Sequence, residues 1–298
     1  MNKPIPSLKP KKSFFFVNEE TELMQFLRQN LPQKSRNDFK TLFKYKKIFV
    51  DGEIESSYNY LLEPGQKVEI YWDKNQEPQL FSKIKIVFED KYLIVVNKQE
   101  GLLSIATEKV ISQTAYSILS QYVKKQHPSN KIFIVHRLDR ETSGLMMFAK
   151  NQQIQKLLQK DWSENILERT YIAVIEGKAE PEKGTITSWL KESKALIVYS
   201  SQNSMDGDKA ITHYQTIKKR NDYSLLKINL ETGRKNQIRV HMQDFGHPVV
   251  GDKKYGSTEN PIGRLGLHAW ILAFIHPITN EQMRFETEIP SKFSGLFK

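Results

Sequence analysis

The sequence predicts an α+β protein in two parts: a small α/β module, then a larger domain on a largely antiparallel mixed β-sheet with flanking helices. Three observations predict it. The 298 residues exceed what one typical domain needs. Helix-spaced apolar residues crowd the stretch from Leu23 to Phe43, whereas short alternating runs dominate beyond Ile84. Between them lies a polar stretch, Asp73 to Gln79, containing Pro78. The boundaries expected on these grounds are a loose tail at 1–13, a module at 14–76, a linker at 77–83 and a second domain at 84–298.

Each element has a local reason. Thr21 is placed to cap a helix with Leu23, Met24, Leu27 and Leu31 on one face, and Pro32 stops it. Ser35-Arg36-Asn37-Asp38 starts a second helix, with Phe39, Leu42 and Phe43 inward. Ile48–Val50 reads as a strand turned by Asp51-Gly52. Pro64-Gly65 makes the next turn, and Val68, Ile70 and Trp72 alternate like a half-buried strand. In the second domain Ile84, Ile86 and Phe88 alternate, and Tyr92 to Val96 continue after a turn. Thr114 caps a helix carrying Ala115, Ile118, Leu119, Tyr122 and Val123. Ile132–Val135 leads as a strand into a charged loop, and Leu145–Ala149 leaves it. Asn151 starts a short helix with Ile154, Leu157 and Leu158. Tyr171 begins a strand running to Ile175, and more strands are expected near 184–190, 195–200, 210–217, 223–230 and 284–289. The apolar run Leu267 to Ile275, with His268 and then His276-Pro277, reads as packing and turn residues.

Composition narrows the classes. With 39% apolar and 27% charged residues the chain is globular rather than disordered. No apolar run approaches the roughly 18 residues that span a bilayer, and no signal-peptide pattern follows Met1. The absence of cysteine removes disulfides, thiolate catalysis and cysteine-ligated metals. A cytoplasmic protein is expected. The net charge of +11 attracts a polyanion, and without a basic amphipathic helix nucleic acid is favoured over membrane. The charge is concentrated. Between Arg28 and Lys47 seven cations (Arg28, Lys34, Arg36, Lys40, Lys44, Lys46, Lys47) face one acid, Asp38. A merely solvated face would mix signs into i,i+4 pairs; this one does not, so it reads as a phosphate-binding face.

Three charged islands in the second domain are chemical candidates. In His136-Arg137-Leu138-Asp139-Arg140-Glu141, flanked by apolar runs, the two arginines stand near enough in sequence to hold Asp139 ionised. An ionised aspartate in a cleft can act as nucleophile or base; one in a loop can equally cap a turn. In Thr232-Gly233-Arg234-Lys235-Asn236-Gln237-Ile238-Arg239-Val240-His241, an extended chain puts Gln237, Arg239 and His241 on one face, and a helix groups Lys235, Arg239 and Met242. Either offers a guanidinium to a carboxylate or phosphate. In Arg169-Thr170-Tyr171, the tyrosine either packs in a sheet or stacks on a base. The seven histidines lack metal-ligand spacing, and no P-loop, dinucleotide fingerprint or Gly-x-Ser-x-Gly elbow occurs, so no cofactor and no metal are expected.

Together these stretches resemble the RluA family of pseudouridine synthases. His136-Arg137-Leu138-Asp139 followed by Thr142-Ser143-Gly144-Leu145 resembles its catalytic signature. Arg169 to Ala173 with Gly177 resembles its tyrosine motif. Thr232-Gly233-Arg234 and Gln237 to His241, with Gly251-Asp252 and Tyr255-Gly256 behind, resemble its arginine motif. Leu267-His268-Ala269 with His276-Pro277 resembles its C-terminal segment. The likeness runs in order over roughly 84–290, and 14–75 resemble the alpha-L RNA-binding module. The chain departs from the pattern at Lys235-Asn236, where the family often shows Thr-His, and at Gln99, where proline is common.

The resemblance implies isomerisation of uridine to pseudouridine in structured RNA, ribosomal before transfer RNA, by a monomer. Asp139 would be the catalytic aspartate, Arg239 its partner, and Tyr171 a base-stacking residue taking part in proton removal at C5. Arg137 would fill the space of the flipped nucleotide. His136, Arg140, Arg234, Gln237 and His241 would line the substrate site, and Lys34, Arg36, Lys40, Lys44, Lys46 and Lys47 would hold RNA. Whether the carboxylate attacks ribose or assists cleavage stays open. A non-catalytic RNA or ribosome binder of the same fold is the alternative. An RNA hydrolase is disfavoured, since no second carboxylate or metal set is evident to activate water.

Overall fold

In the computed structural model, which describes residues 12–45, 47–72, 83–106, 113–160, 162–220 and 222–298, the chain divides into two units, Met1–Phe81 and Ser82–Lys298. The expected linker at 77–83 lies outside the described residues except for Lys83.

The first unit runs β1 (Lys12–Phe16), β2 (Thr21–Glu22), α1 (Leu23–Asn30), α2 (Arg36–Lys44), β3 (Ile48–Val50), β4 (Glu53–Ile54), β5 (Leu61–Leu62) and β6 (Lys67–Tyr71). An antiparallel sheet in the order β1-β6-β3-β4 packs on the helices, and β2 pairs β5 separately. Leu23, Phe26, Leu27, Phe39, Leu42 and Phe43 from the helices meet Ile48, Val50, Val68 and Ile70 in one core. Helix α2 starts where expected, because Ser35 and Asp38 form a reciprocal capping box. Two expectations are corrected. Thr21 does not cap α1; it pairs with Leu62 in the β2–β5 ladder, which leaves Glu22 as the cap residue. Lys12 and Ser13, assigned to the tail, are paired with Tyr71 and Ile70, so the ordered module begins earlier than 14. Residues 1–11 lie outside the described residues.

The second unit continues with β7 (Ile84–Glu89), β8 (Leu93–Lys98), α3 (Ala115–Gln126), β9 (Phe133–Ile134), β10 (Ser143–Ala149), α4 (Gln152–Lys160), α5 (Trp162–Asn165) and β11 (Ile166–Glu176). Then come β12 (Lys183–Glu192), β13 (Val198–Ser201), β14 (Asp208–Lys219), β15 (Tyr223–Leu230), α6 (Gln237–Asp244), a 3-10 turn (Lys253–Tyr255), β16 (Leu267–Ile275), β17 (Gln282–Glu286) and α7 (Ser291–Gly295). Eleven strands make one sheet in the order β13-β12-β14-β15-β11-β16-β10-β8-β7, with β17 on β16 and β9 on β10. Every pairing is antiparallel except β10 with β16. The α+β expectation therefore holds. Two details differ. The strand containing Tyr171 starts at Ile166, not at Tyr171. The run Leu267 to Ile275 is the central strand β16, buried on both faces, so it lacks the alternation that marks a half-buried strand.

The sheet brings the charged loop to Tyr171. Gly144 pairs with Ala269 on one side of β16, and Tyr171 pairs with Ala269 on the other. With strands about 4.8 Å apart, two such steps set the loop's end about 10 Å from the Tyr171 backbone. The close β10–β16 approach requires glycine. Gly144 has φ +115, and a Cβ there would lie 2.1 Å from the Ala269 carbonyl oxygen. The β11–β16 register shifts between Thr170 and Tyr171, and such a bulge re-aims the side chain beside it.

Candidate active site

The loop 136–142 carrying Asp139 is tied down from behind. The Ser104 hydroxyl accepts from the Leu138 N–H and donates to the Leu138 carbonyl, at 3.1 and 2.7 Å. The fully buried Lys98 ammonium donates to the carbonyls of Gln99, Leu102 and Arg140. Burial lowers the Lys98 pKa to about 8, against the opposing pull of Glu141 and Asp139. Where the loop enters β10, the Ser143 hydroxyl bonds His268 and accepts from the buried Arg264 guanidinium, which also pairs with Glu100. The Asp139 backbone is thus fixed by groups that do not face the cleft.

The cleft has a volume of about 180 Å³. Arg137, Asp139, Tyr171, Arg234, Lys235, Asn236, Gln237 and Arg239 line it. Arg239 Nη1 lies 3.4 Å from Asp139 Oδ2, joining positions 100 apart in sequence. The same guanidinium grips Asp252 in a fork, Nε to Oδ2 at 2.6 Å and Nη2 to Oδ1 at 2.7 Å. Burial alone would lower the Arg239 pKa, but Asp252 and then Asp139 outweigh it and raise it. Tyr171 is half-buried. Burial raises its pKa, Arg169 opposes the rise, and the Asp139 charge adds to it, so the phenol is neutral near pH 7.

The remaining expected site residues divide. Arg137 is exposed at the rim. Arg234 lines the cleft and is tied to the Lys209 carbonyl. Gln237 also lines it, but its amide is spent internally, accepting from Thr232 Oγ1 and Arg234 N–H and donating to Ile211 and Thr212. The segment from Gln237 is helical, which settles the open geometry and turns His241 away. His241 is fully buried between Ser188 and Thr212, its pKa pushed down to about 4 by burial, so it cannot touch substrate as expected. His136 is likewise placed elsewhere. Its Nε2 accepts the Met147 N–H, its ring lies 5.3 Å from that of Trp162, and burial, with Arg169, lowers its pKa to about 3. Arg140 points off to Glu141 and the Gly101 carbonyl and does not line the cleft. The neighbours expected to hold Asp139, Arg137 and Arg140, are therefore replaced in that role by the remote Arg239.

Lys34, Arg36, Lys40, Lys44 and Lys47 sit on or beside α2 in the first unit, with Arg36, Lys40 and Lys44 exposed. Lys46 lies outside the described residues. Asp38, the one acid among them, is turned onto the Ser35 N–H and hydroxyl, which lower its pKa. Lys34 lies 4.9 Å over the Trp72 ring.

Asp252, Asn236 and Lys98 went unassigned from the sequence. Gly251-Asp252 and Lys235-Asn236 were visible as motif positions, but nothing in their spacing pairs them with Arg239. Among the described residues no group of three or more His, Asp or Glu side chains could hold a metal, and no helix is long and apolar enough to cross a membrane.

Comparison with known proteins shows the family. Residues 92–244, which include Asp139, Tyr171 and Arg239, match a family model described as RNA pseudouridylate synthase. An uncharacterized RNA pseudouridine synthase of Bacillus subtilis, YjbO, is 32% identical over 253 residues, 84% of this chain and 89% of its own. The ribosomal large subunit pseudouridine synthase D of Pasteurella multocida is 30% identical over 292 residues, 92% of this chain and 89% of its own. The solved structure of human RNA pseudouridylate synthase domain containing 4 shares the fold, with a TM-score of 0.56 at 23% identity over 70% of this chain and 90% of that one. The chain is an RNA-modifying isomerase. It belongs to the RluA family of RNA pseudouridine synthases.

Proposed function

We propose that this chain converts uridines of large-subunit ribosomal RNA to pseudouridine in the cytoplasm, as a monomer, with Asp139 as the catalytic carboxylate. One observation carries the assignment of residues: the Asp139–Arg239 contact at 3.4 Å inside a cleft that Tyr171 also lines. The ribosomal substrate is supported by the activity named for the Pasteurella relative.

The reaction breaks the C1′–N1 bond, joins C1′ to C5, moves the C5 proton off and protonates N1. A uridine in folded RNA hides that bond, so it must leave its stack at a cost of a few kcal/mol. Arg137, exposed and lining the cleft, fills the gap left behind. Arg239 offsets the cost of keeping the Asp139 charge in a half-buried site. Tyr171 stacks on the base as a neutral phenol, so its oxygen accepts the C5 proton only if its own proton passes to a neighbouring acceptor. The cations of α1 and α2 hold the RNA backbone from the first unit.

Changing Asp139→Asn should abolish pseudouridine formation while RNA affinity stays near that of the unaltered chain. Turnover retained in that variant rules the assignment out. Mapping pseudouridine in ribosomal RNA from cells with and without the protein then identifies the target, and a map unchanged across the large-subunit RNA rules out the ribosomal substrate.

A further inference from the structure

We propose that Asp252 and Asn236 are positioning residues that seat Arg239 so that a single edge of its guanidinium, at Nη1, faces Asp139. This rests on the role of Asp139 proposed above. A guanidinium carries five N–H donors in a rigid fork, and a free one closes that fork on any carboxylate it meets. Were Arg239 to do so on Asp139, both carboxylate oxygens would be occupied. The structure shows a single contact instead. Nε and one N–H of Nη2 are committed to Asp252, whose side chain is only 1% exposed, and only Nη1 reaches Asp139. A carboxylate so buried is stable only when paired, which makes the grip tight. The Tyr255 ring lies 4.8 Å from the guanidinium carbon.

Asn236 closes the remaining side. Its Oδ1 accepts from Arg239 Nη1 at 3.2 Å, and its Nδ2 donates to the Tyr255 hydroxyl at 2.9 Å. It holds a left-handed backbone, φ 54 and ψ 17, at the start of α6, a conformation asparagine tolerates better than most residues. The two groups leave Asp139 a cation at 3.4 Å on Oδ2 only. Among the described residues Oδ1 accepts no hydrogen bond, so it remains open to the cleft. This gives a reason for Asn236 at one of the two positions where the chain departs from the family's pattern.

The test uses the full chain and a large-subunit ribosomal RNA transcript labelled with tritium at uridine C5, whose release reports formation of the new carbon–carbon bond. Asp252→Asn and Asn236→Gly should each lower kcat about 10- to 100-fold, as small misplacements of a reacting group do. KM and RNA affinity of the folded variants should stay close to those of the unaltered chain, while Asp252→Asn also lowers the melting temperature by breaking a buried pair. The double variant should lose less than the product of the two, because both act through one guanidinium. Asn236→Gly relaxes the backbone instead of straining it, so it decides the matter if Asp252→Asn does not fold. An unchanged kcat in Asn236→Gly, or a loss that appears only in KM or folding, overturns the proposal. If Asp139→Asn is inactive while these variants are not, only the positioning claim fails. If Asp139→Asn turns over, the functional assignment fails first.

Discussion

The two units use positive charge in opposite ways. On α1 and α2 the cations Arg28, Arg36, Lys40 and Lys44 are exposed, and Asp38, the one acid between Arg28 and Lys47 in sequence, is occupied in capping a helix. Around the cleft the guanidinium of Arg239 is largely buried and shared between two carboxylates, and that of Arg264 is matched by Glu100. Exposed charges of one sign act together through counterion release, so each is dispensable and all fade with salt. A buried guanidinium acts through its geometry, is barely screened, and has no substitute. In the proposed function the first unit thus supplies affinity and the second placement.

The largest expected difference between the units is in their response to acid. Burial holds His241 and His268 neutral down to about pH 4, and His136 to about 3, against 6.5 in an open chain. As pH falls below 6.5 the unfolded state takes up these protons first, so stability present above 6.5 is lost on the way to about 4. At ~1.4 kcal/mol per pKa unit the loss reaches several kcal/mol. All seven histidines lie in the second unit. The depressed acids of the first unit, Asp38 and Glu69, come into play only below their ordinary values of 3.8 and 4.5. Between pH 6.5 and 4.5, therefore, melting followed by calorimetry should show the second unit's transition falling while the first unit's holds. Parallel falls would break the distinction.

Next in size, Arg239→Lys keeps the charge but loses the fork, and should lower kcat about 100-fold with the salt dependence of binding untouched. A change in the salt slope would mean that Arg239 binds phosphate. Replacing Lys34, Arg36, Lys40 and Lys44 together by glutamine should do the reverse. The slope of log affinity against log salt should become shallower by about 3, while kcat at saturating RNA is kept. The smallest effect is Ser35→Ala, which removes the α2 cap and should cost about 1 kcal/mol in a urea melt of the first unit.

How much of this was readable in the sequence depended on distance along the chain. Helix α2 was, because its cap, its first-turn acid and its inward Phe39, Leu42 and Phe43 all lie within nine positions. Helix α3 was, through the cap at Thr114, which the structure completes into a box with Ser117. The central strand β16 was not, since burial on both faces erases the period-two pattern. The arginine segment could not be assigned to strand or helix from its own residues, because the partners of its left-handed start at Asn236 include Tyr255, which is remote in sequence. Asp139 and Tyr171 were singled out from local chemistry and from the resemblance. The Asp139–Arg239 pairing came from the resemblance alone, and Asp252 had no signal that spacing could supply.

The partners of Arg239 have a consequence for when the enzyme can work. Asp139 lies 100 positions before it and Asp252 lies 13 after it, while β16, which seats both the loop and Tyr171, begins only at Leu267. A nascent chain that has exposed everything through Arg239 still lacks the carboxylate that orients the guanidinium and the strand that aligns the loop with the ring. On the proposed function, a product cut off before Asp252 would keep the first unit's RNA-holding cations but lack the groups that align the site, and so would not alter the RNA.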